Sequence, residues 1–432
     1  MNIATDYSQP LAAKPQPLTL EQAAEITPPK QLVDTEGMID VPRLRRYRLE
    51  RVREQIDSHD LGAVVLSDPL SIRYTTGVRN CALFQTHIQA GYLFVPAAGP
   101  VVYFDSEPGR NTGAQLETID EIRDDLLPLS YISTGYRQQE WARRWAQQMS
   151  DLVDQHCGGN RRLGVERVGV SGTRAFEGLD IEVYDSVSVL AHARLIKSPE
   201  EILCMNQVIA VAEDGITRMR NNLRPGITEI ELWSHLWQAN IEGGGEWIEY
   251  RLCASGDRTN PWQQEASSRM IRAGDLFVFD CGMVGPWGYG ADISRAFFTG
   301  PGTPTEEQKR LYTHAWREVM HNTELLQPGT SFRDVIDKRY VQPDDIGGQP
   351  YPCIAHGLGM ADEYPYIYYP VDEQFHFDGE LEPGMVMCVE SYVGEKGGHE
   401  GVKLENQVLI TESGPINLAR YPFEDELLLK EV

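Results

Sequence analysis

Four acids and one histidine in the second half of the chain have the types and the setting for metal chemistry. Asp280 closes the apolar run LFVF, and Glu390 closes MVMCV. An unpaired charge inside such a strand costs several kcal/mol. Each of these acids is followed by a glycine-rich turn and a further acid, Asp292 or Glu405. His356 ends the apolar run CIA and precedes Gly-Leu-Gly. One acid at a strand end is most simply a cap or a solvent-facing group. One histidine in such a place is most simply a hydrogen-bonded core residue. Four carboxylates brought together need a cation, and an imidazole beside them completes a mixed oxygen and nitrogen donor set.

The elements that would gather these groups repeat themselves. IRAGDLFVFD (271–280) resembles LEPGMVMCVE (381–390), with an acid six residues after a glycine in both. Upstream, LCASG (252–256) echoes CIAHG (353–357). Two copies of strand, strand, acid, turn, strand, acid predict a pseudo-two-fold domain with its carboxylates near the axis. Before it, Ser198, Pro199 and Glu201 spell a capped helix start, and an apolar stripe from Ile202 to Met219 continues the helix. A second helix is expected over 228–242, stopped by Gly243, Gly244 and Gly245. The domain boundary is placed at 193–198. In the first half, a helix over 41–58 precedes short apolar runs (61–68, 91–96, 100–105, 163–170, 181–186) separated by helical stretches such as 139–156. That alternation predicts an α/β domain with a mixed sheet. Residues 1–38, with five prolines, read as an extended arm draped over a partner subunit.

Composition narrows the function. The chain has 432 residues, enough for two or three domains, and carries 64 Asp and Glu against 39 Lys and Arg. A net charge of -25 disfavours nucleic acid and anionic membranes. No apolar run reaches the roughly 20 residues that span a bilayer, and the start lacks the pattern of a signal peptide. Seven scattered cysteines without a CxxC pair fit free, buried thiols in a reducing compartment, so a cytoplasmic location is expected.

Asp280, Asp292, His356, Glu390 and Glu405 form an ordered Asp–Asp–His–Glu–Glu series. It resembles that of the M24 "pita-bread" metalloenzymes: aminopeptidases, prolidases and creatinase. FVFDCG, ADISRAFF, AHGLG, LEPGMVMCVE, KLENQVLIT and IKSPEEI resemble that family's motif strings over 193–425. The resemblance implies an α/β creatinase-like N-terminal domain (39–195) and an α+β pita-bread catalytic domain with pseudo-two-fold symmetry (196–432). It implies those five residues as ligands of one or two metal ions per subunit. It also implies a homodimer in which the partner's N-terminal domain lines the site.

Within the family, HGLGMADEYP, GGEWIEYRLCASGDRTNPW, DPLSIRYTTG and RYPF resemble the dimethylsulfoniopropionate lyases. That likeness implies Asp362 as catalytic base, Tyr351 in the substrate pocket, and iron as the metal. Manganese, cobalt or zinc would suit a hydrolase. The reaction is a β-elimination that splits a small zwitterion into acrylate and dimethyl sulfide. A sulfonium offers no hydrogen bond, so aromatic faces must hold it, at about 0.5–2 kcal/mol each. Tyr364 and Trp247 are expected there, among Tyr250, Trp262, Trp287, Tyr289 and the aromatics of 364–369.

Two departures matter. The lyases carry a further acid two residues after the first, where this chain has Gly282, expected on the same strand face as Asp280. Peptidases usually have a second histidine seven residues after His356, where this chain has Glu363. A dipeptidase or creatinase-like C–N hydrolase, with a metal-bridged hydroxide as nucleophile, is the alternative, and a non-catalytic binding scaffold is a third. His87 is placed on a loop that either faces a partner or is plain surface.

Overall fold

The computed structural model describes residues 17–26, 37–79, 86–89, 91–105 and 113–429. Its first half is built on a six-stranded mixed sheet of β1 (Ala63–Leu66), β2 (Gly91–Pro96), β3 (Val102–Asp105), β4 (Glu121–Arg123), β5 (Arg162–Val165) and β6 (Glu182–Asp185). The order is β4-β3-β2-β1-β5-β6, with β1 and β2 antiparallel and β1 and β5 parallel. Period two along β1 divides its side chains. Val64 and Leu66 pack toward the second domain, while Ala63 and Val65 join a separate core with Trp145, Met149 and Leu152.

Part of the expected extended arm is helical. Helix α1 (Leu20–Glu25) is opened by a capping box between Thr19 and Gln22. Its buried Ala23 and Ala24 lie against the chain's own long helix, where Asn206 Nδ2 donates to Ala23 O at 2.8 Å. Residues 1–16 and 27–36 of the arm lie outside the described residues, as does Cys81. The other six cysteines carry free thiols, five of them buried. Helix α2 (Val41–Ser58) follows, capped by Asp40. Its Tyr47 hydroxyl donates to Ile196 O at 2.9 Å, and Arg43 pairs with Glu200, so it bridges both halves.

The second half opens on α3 (Pro199–Asn222), with Ser198 as cap and Glu201 completing the box. Then comes α4 (Glu229–Glu242), capped by Thr228 and ended at Gly243. The repeat is plain in the strands that follow. One sheet runs β12-β9-β8, where β8 is Cys253–Ser255, β9 is Leu276–Asp280 and β12 is Ser294–Phe298. Between β9 and β12 lie β10 (Met283–Val284) and β11 (Gly290–Ala291), which join β7 (Trp247–Ile248) in a small sheet. The other large sheet runs β14-β13-β15-β16-β17, where β13 is Cys353–Leu358, β14 is Asp362–Tyr368, β15 is Val386–Val393, β16 is Val402–Thr411 and β17 is Gly414–Asn417. Strand triplets β8-β9-β12 and β13-β15-β16 share one antiparallel arrangement around a central strand. The helix starts repeat as well. Gly226 and Gly329 take φ of +91° and +79°, and the next helices are capped by Thr228 and Ser331.

β9 and β15 are buried throughout. On β9, Phe277 and Phe279 face one core, and Leu276 and Val278 face the other. A charged residue at the end of such a strand is shielded from bulk water, which sets up the site.

Candidate metal centre

Register brings the five expected ligands together. Asp280, at the end of β9, pairs with Ser294 on β12. Glu390 on β15 pairs with Glu405 on β16, and His356 on β13 pairs with Cys388 on β15. All five side chains are 5 % exposed or less, so each is dry. His356 Nε2 stands 3.2 Å from Glu390 Oε1, 3.9 Å from Asp292 Oδ2 and 3.9 Å from Glu405 Oε1. Asp292, His356 and Glu405 form one compact donor group with Cys388.

A sixth charge sits inside the cluster. The buried Lys403 ammonium lies 2.6 Å from Glu390 Oε2, 2.9 Å from Glu405 Oε2 and 3.4 Å from Asp280 Oδ2. It donates to Ser294 Oγ at 2.7 Å. The tyrosine at 250 closes the opposite side, its hydroxyl donating to Asp292 Oδ1 at 2.9 Å and reaching Asp280 Oδ1 at 3.3 Å. Lys403 was visible in KLENQ, two residues before Glu405 and therefore on the same strand face, but a lysine in a metal site is not an expectation that residue type supports.

These charges set the proton affinities. Burial, reinforced by Glu405 and Asp280, pushes Asp292 well above the usual carboxylate range. Burial and then Glu390 do the same to Glu405. Burial also opposes the charge on Asp280, but Lys403 together with hydrogen bonds from Asp292, Ser294 and Lys403 outweighs it and holds that carboxyl low. Burial works against protonated His356, yet Glu390, Asp362 and Glu405 lift it to about 9. Four carboxyl groups, one ammonium and one imidazole share a dry cavity, and burial without enough cationic charge holds two of the carboxyls high. Glu405 Oε1 is buried and accepts no hydrogen bond. That orphan oxygen and the nitrogen–oxygen donor set fit one or two divalent ions.

Residues 203–412 match Metallopeptidase family M24, and residues 48–196 match the Creatinase/Prolidase N-terminal domain. Over 398 residues the chain is 35% identical to the dimethylsulfoniopropionate lyase DddP of Roseovarius nubinhibens, covering 90% of this chain and 88% of that one. The chain belongs to the M24 family. A second lyase DddP, from Roseobacter denitrificans, is 34% identical over 397 residues, covering 90% of this chain and 88% of that protein. Among solved structures, an Xaa-Pro dipeptidase from Bacillus anthracis superposes with a TM-score of 0.71 at 21% identity, over 88% of this chain and 99% of that one. This is the creatinase-type N-terminal domain joined to the M24 pita-bread domain. M24 enzymes bind divalent metals, and the cluster above lies within the matched segment.

The other expected site residues divide. Asp362 opens β14 half-exposed, with Oδ1 4.0 Å from His356 Nδ1. Tyr366 donates to Asp362 Oδ2 at 3.0 Å and stacks on the His356 ring, centroids 5.2 Å apart. A register shift between His356 and Gly357 accompanies this placement. Tyr351 lies over Lys403, with Nζ 4.5 Å from the ring centre. Tyr364 stands farther along β14 against Phe377 and His192. With Tyr366 and Tyr368 it walls a cavity of about 650 Å³ between the domains, which Asp362 also lines. Trp247 turns its indole to Glu249 Oε1 at 3.0 Å, and Glu249 borders the crevice beside Asp292. Trp287 donates to Gln207, Tyr289 to Glu201, and Trp262 stacks on Tyr392. His87 lines a separate cavity of about 370 Å³ in the N-terminal domain.

Both departures have a structural form that the sequence reading did not foresee. β9 ends at Asp280, so Gly282 is not on a strand face beside it but in the link to β10, at φ +37°. A Cβ there would stand 2.4 Å from Tyr250 Cζ. The phenol ring fills the space that a further acid would need. Glu363 does not face the cluster. It is buried against Lys197 Nζ at 3.0 Å and accepts from Met360 N at 3.1 Å.

Proposed function

We propose that the protein is a metal-dependent lyase that cleaves dimethylsulfoniopropionate, or a close analogue, to acrylate and dimethyl sulfide. The observation that carries this reading is the position of Asp362. Its carboxylate stands between the buried histidine of the cluster and a cavity walled by tyrosines. An elimination needs a base that reaches the carbon beside the substrate carboxylate. It also needs a setting that favours a cation without hydrogen bonds.

Asp280, Asp292, His356, Glu390 and Glu405 would hold the metal, with iron the proposed identity. When bound, the metal would polarise the substrate carboxylate and make the adjacent C–H more acidic. Asp362 takes that proton, and the electron pair left behind expels dimethyl sulfide. Tyr366, donating to Asp362 Oδ2, fixes which oxygen faces the substrate. Tyr364, on the wall of that cavity, offers a ring face to the sulfonium, with Tyr351 beside Lys403 and Trp247 beside Glu249 as the further aromatic candidates. A homodimer acting in the cytoplasm belongs to this reading. Among the described residues no helix is long and apolar enough to cross a membrane.

A hydrolase on a C–N bond is the second reading, and Gly282 favours it. The crowding by Tyr250 leaves the five-residue ligand set of the hydrolases. Glu363, locked to Lys197, leaves a peptide carbonyl without the histidine of the peptidases. The test is a side-by-side assay of metal-loaded protein. Dimethyl sulfide from dimethylsulfoniopropionate with no turnover of an Xaa-Pro dipeptide panel supports the lyase, and the reverse result refutes it.

A further inference from the structure

The carboxylates of the cluster are divided in two by what their oxygens face. Glu390 and Glu405 each turn Oε2 to Lys403 and Oε1 to His356 Nε2. Asp280 turns Oδ2 to Lys403, and Asp292 turns Oδ2 to His356. One half therefore already contains a cation, the lysine ammonium. The other half gathers Asp292, His356 and Glu405; Glu405 Oε1 there is buried without a hydrogen bond, as are Asp280 Oδ2 and Glu390 Oε2 in the first half, but those two have the ammonium beside them.

A fourth donor atom belongs to this second half. Cys388 lies on β15 two residues from Glu390, so alternation puts both side chains on one face. Its register partner across the ladder is His356. The Cys388 sulfur and the donor atoms of Asp292, His356 and Glu405 all lie within 4.8 Å of one another. Bonds of about 2.0–2.3 Å to a four-coordinate ion place donors roughly 3.5 Å apart, so a small contraction closes such a group on an ion. Cys281, also buried close by, is engaged otherwise, its sulfur donating to Ala291 O at 3.0 Å.

We propose that Cys388 is a sulfur ligand of the ion held by Asp292, His356 and Glu405. On coordination the thiol proton passes to solvent, and a sulfur lone pair forms the bond to the ion. A thiolate among carboxylates and an imidazole softens the site. It favours iron(II), cobalt(II) or zinc over manganese or magnesium. The inference rests on the metal-centre reading and is independent of which reaction the centre serves.

The test is cobalt(II) substitution of the stripped full-length protein, with bound metal measured by equilibrium dialysis. The expected result is bound cobalt with a sulfur-to-cobalt charge-transfer band in the near ultraviolet. The Cys388→Ser and Cys388→Ala variants are expected to lose that band while still binding cobalt. Cobalt bound by the wild type without the band overturns the sulfur assignment and leaves the metal centre standing. A band that persists in both variants assigns the sulfur to another cysteine and also overturns it. No bound cobalt overturns the metal centre and the sulfur ligand together.

Discussion

Lys403 Nζ lies 2.6 Å from Glu390 Oε2, both side chains essentially without solvent, so an ammonium stands where the centre would otherwise present only carboxylates. A buried ion pair broken on one side costs about 3–5 kcal/mol, because the remaining charge loses its partner. Lys403→Met is therefore expected to lower the stability of the metal-free protein by about that amount. It is also expected to raise cation uptake from one ion per subunit toward two. Urea unfolding in chelator and elemental analysis after loading measure the two effects. Two ions in the wild type would contradict this account of the lysine.

Tyr366 touches both the base and the histidine, and its two contacts separate cleanly. Tyr366→Phe keeps the ring on His356 and removes the hydrogen bond to Asp362 Oδ2. A hydrogen bond to a charged group contributes about 1.5–3 kcal/mol. The turnover number is expected to fall roughly ten- to hundred-fold, with KM and metal content nearly unchanged. Steady-state kinetics on the metal-loaded variant decide it. A KM effect alone would make Tyr366 a binding residue.

Gly282→Asp is expected to destabilise rather than to restore a ligand. The position has φ +37°, and its Cβ would run into the Tyr250 ring. Such a change costs about 1–3 kcal/mol for overpacking, plus the strain of the left-handed backbone. Adding Tyr250→Ala removes the overlap, so the pair is expected to be non-additive. Thermal unfolding of both single variants and the double variant measures the coupling.

Glu318 should make stability depend on pH. It is buried on the helix Glu306–Glu324, accepting from Ser391 Oγ at 2.6 Å and Tyr369 at 2.8 Å. Burial raises it to about 7 despite those donors. Because the folded value lies above the unfolded one, its stabilising contribution is complete below about pH 4.5 and is lost as pH rises through 7. Relative to Glu318→Gln, the wild type is expected to lose up to about 3 kcal/mol between pH 4.5 and 8. Urea titrations at both pH values check the sign, and a difference independent of pH would refute it.

The parts of this protein that can be read from sequence are those governed by local rules. Ser198 and Glu201 announce the start of α3, and the unbroken apolar run LFVF announces a strand buried on both faces, β9. The repeat announces the paired sheets, because two copies of one strand pattern bury their acids in one way. What local rules miss depends on neighbours distant in the chain. Lys403 enters the cluster only because β16 pairs with β15. Gly282 leaves the face of Asp280 because β9 ends two residues earlier. Asp362 and Glu363 are adjacent acids of one type. The shift in register after His356 accompanies their split, one half-exposed beside that histidine and the other buried against Lys197.

The central claim is that Asp362 abstracts a proton in a metal-supported elimination. Proton NMR of metal-loaded wild type and Asp362→Asn with dimethylsulfoniopropionate tests it most directly, with bound metal quantified in both samples. Acrylate and dimethyl sulfide are expected from the wild type, with the rate lowered by about 10²–10⁴ in the variant at equal metal content. Equal rates in the two proteins, or no acrylate from either, would contradict it.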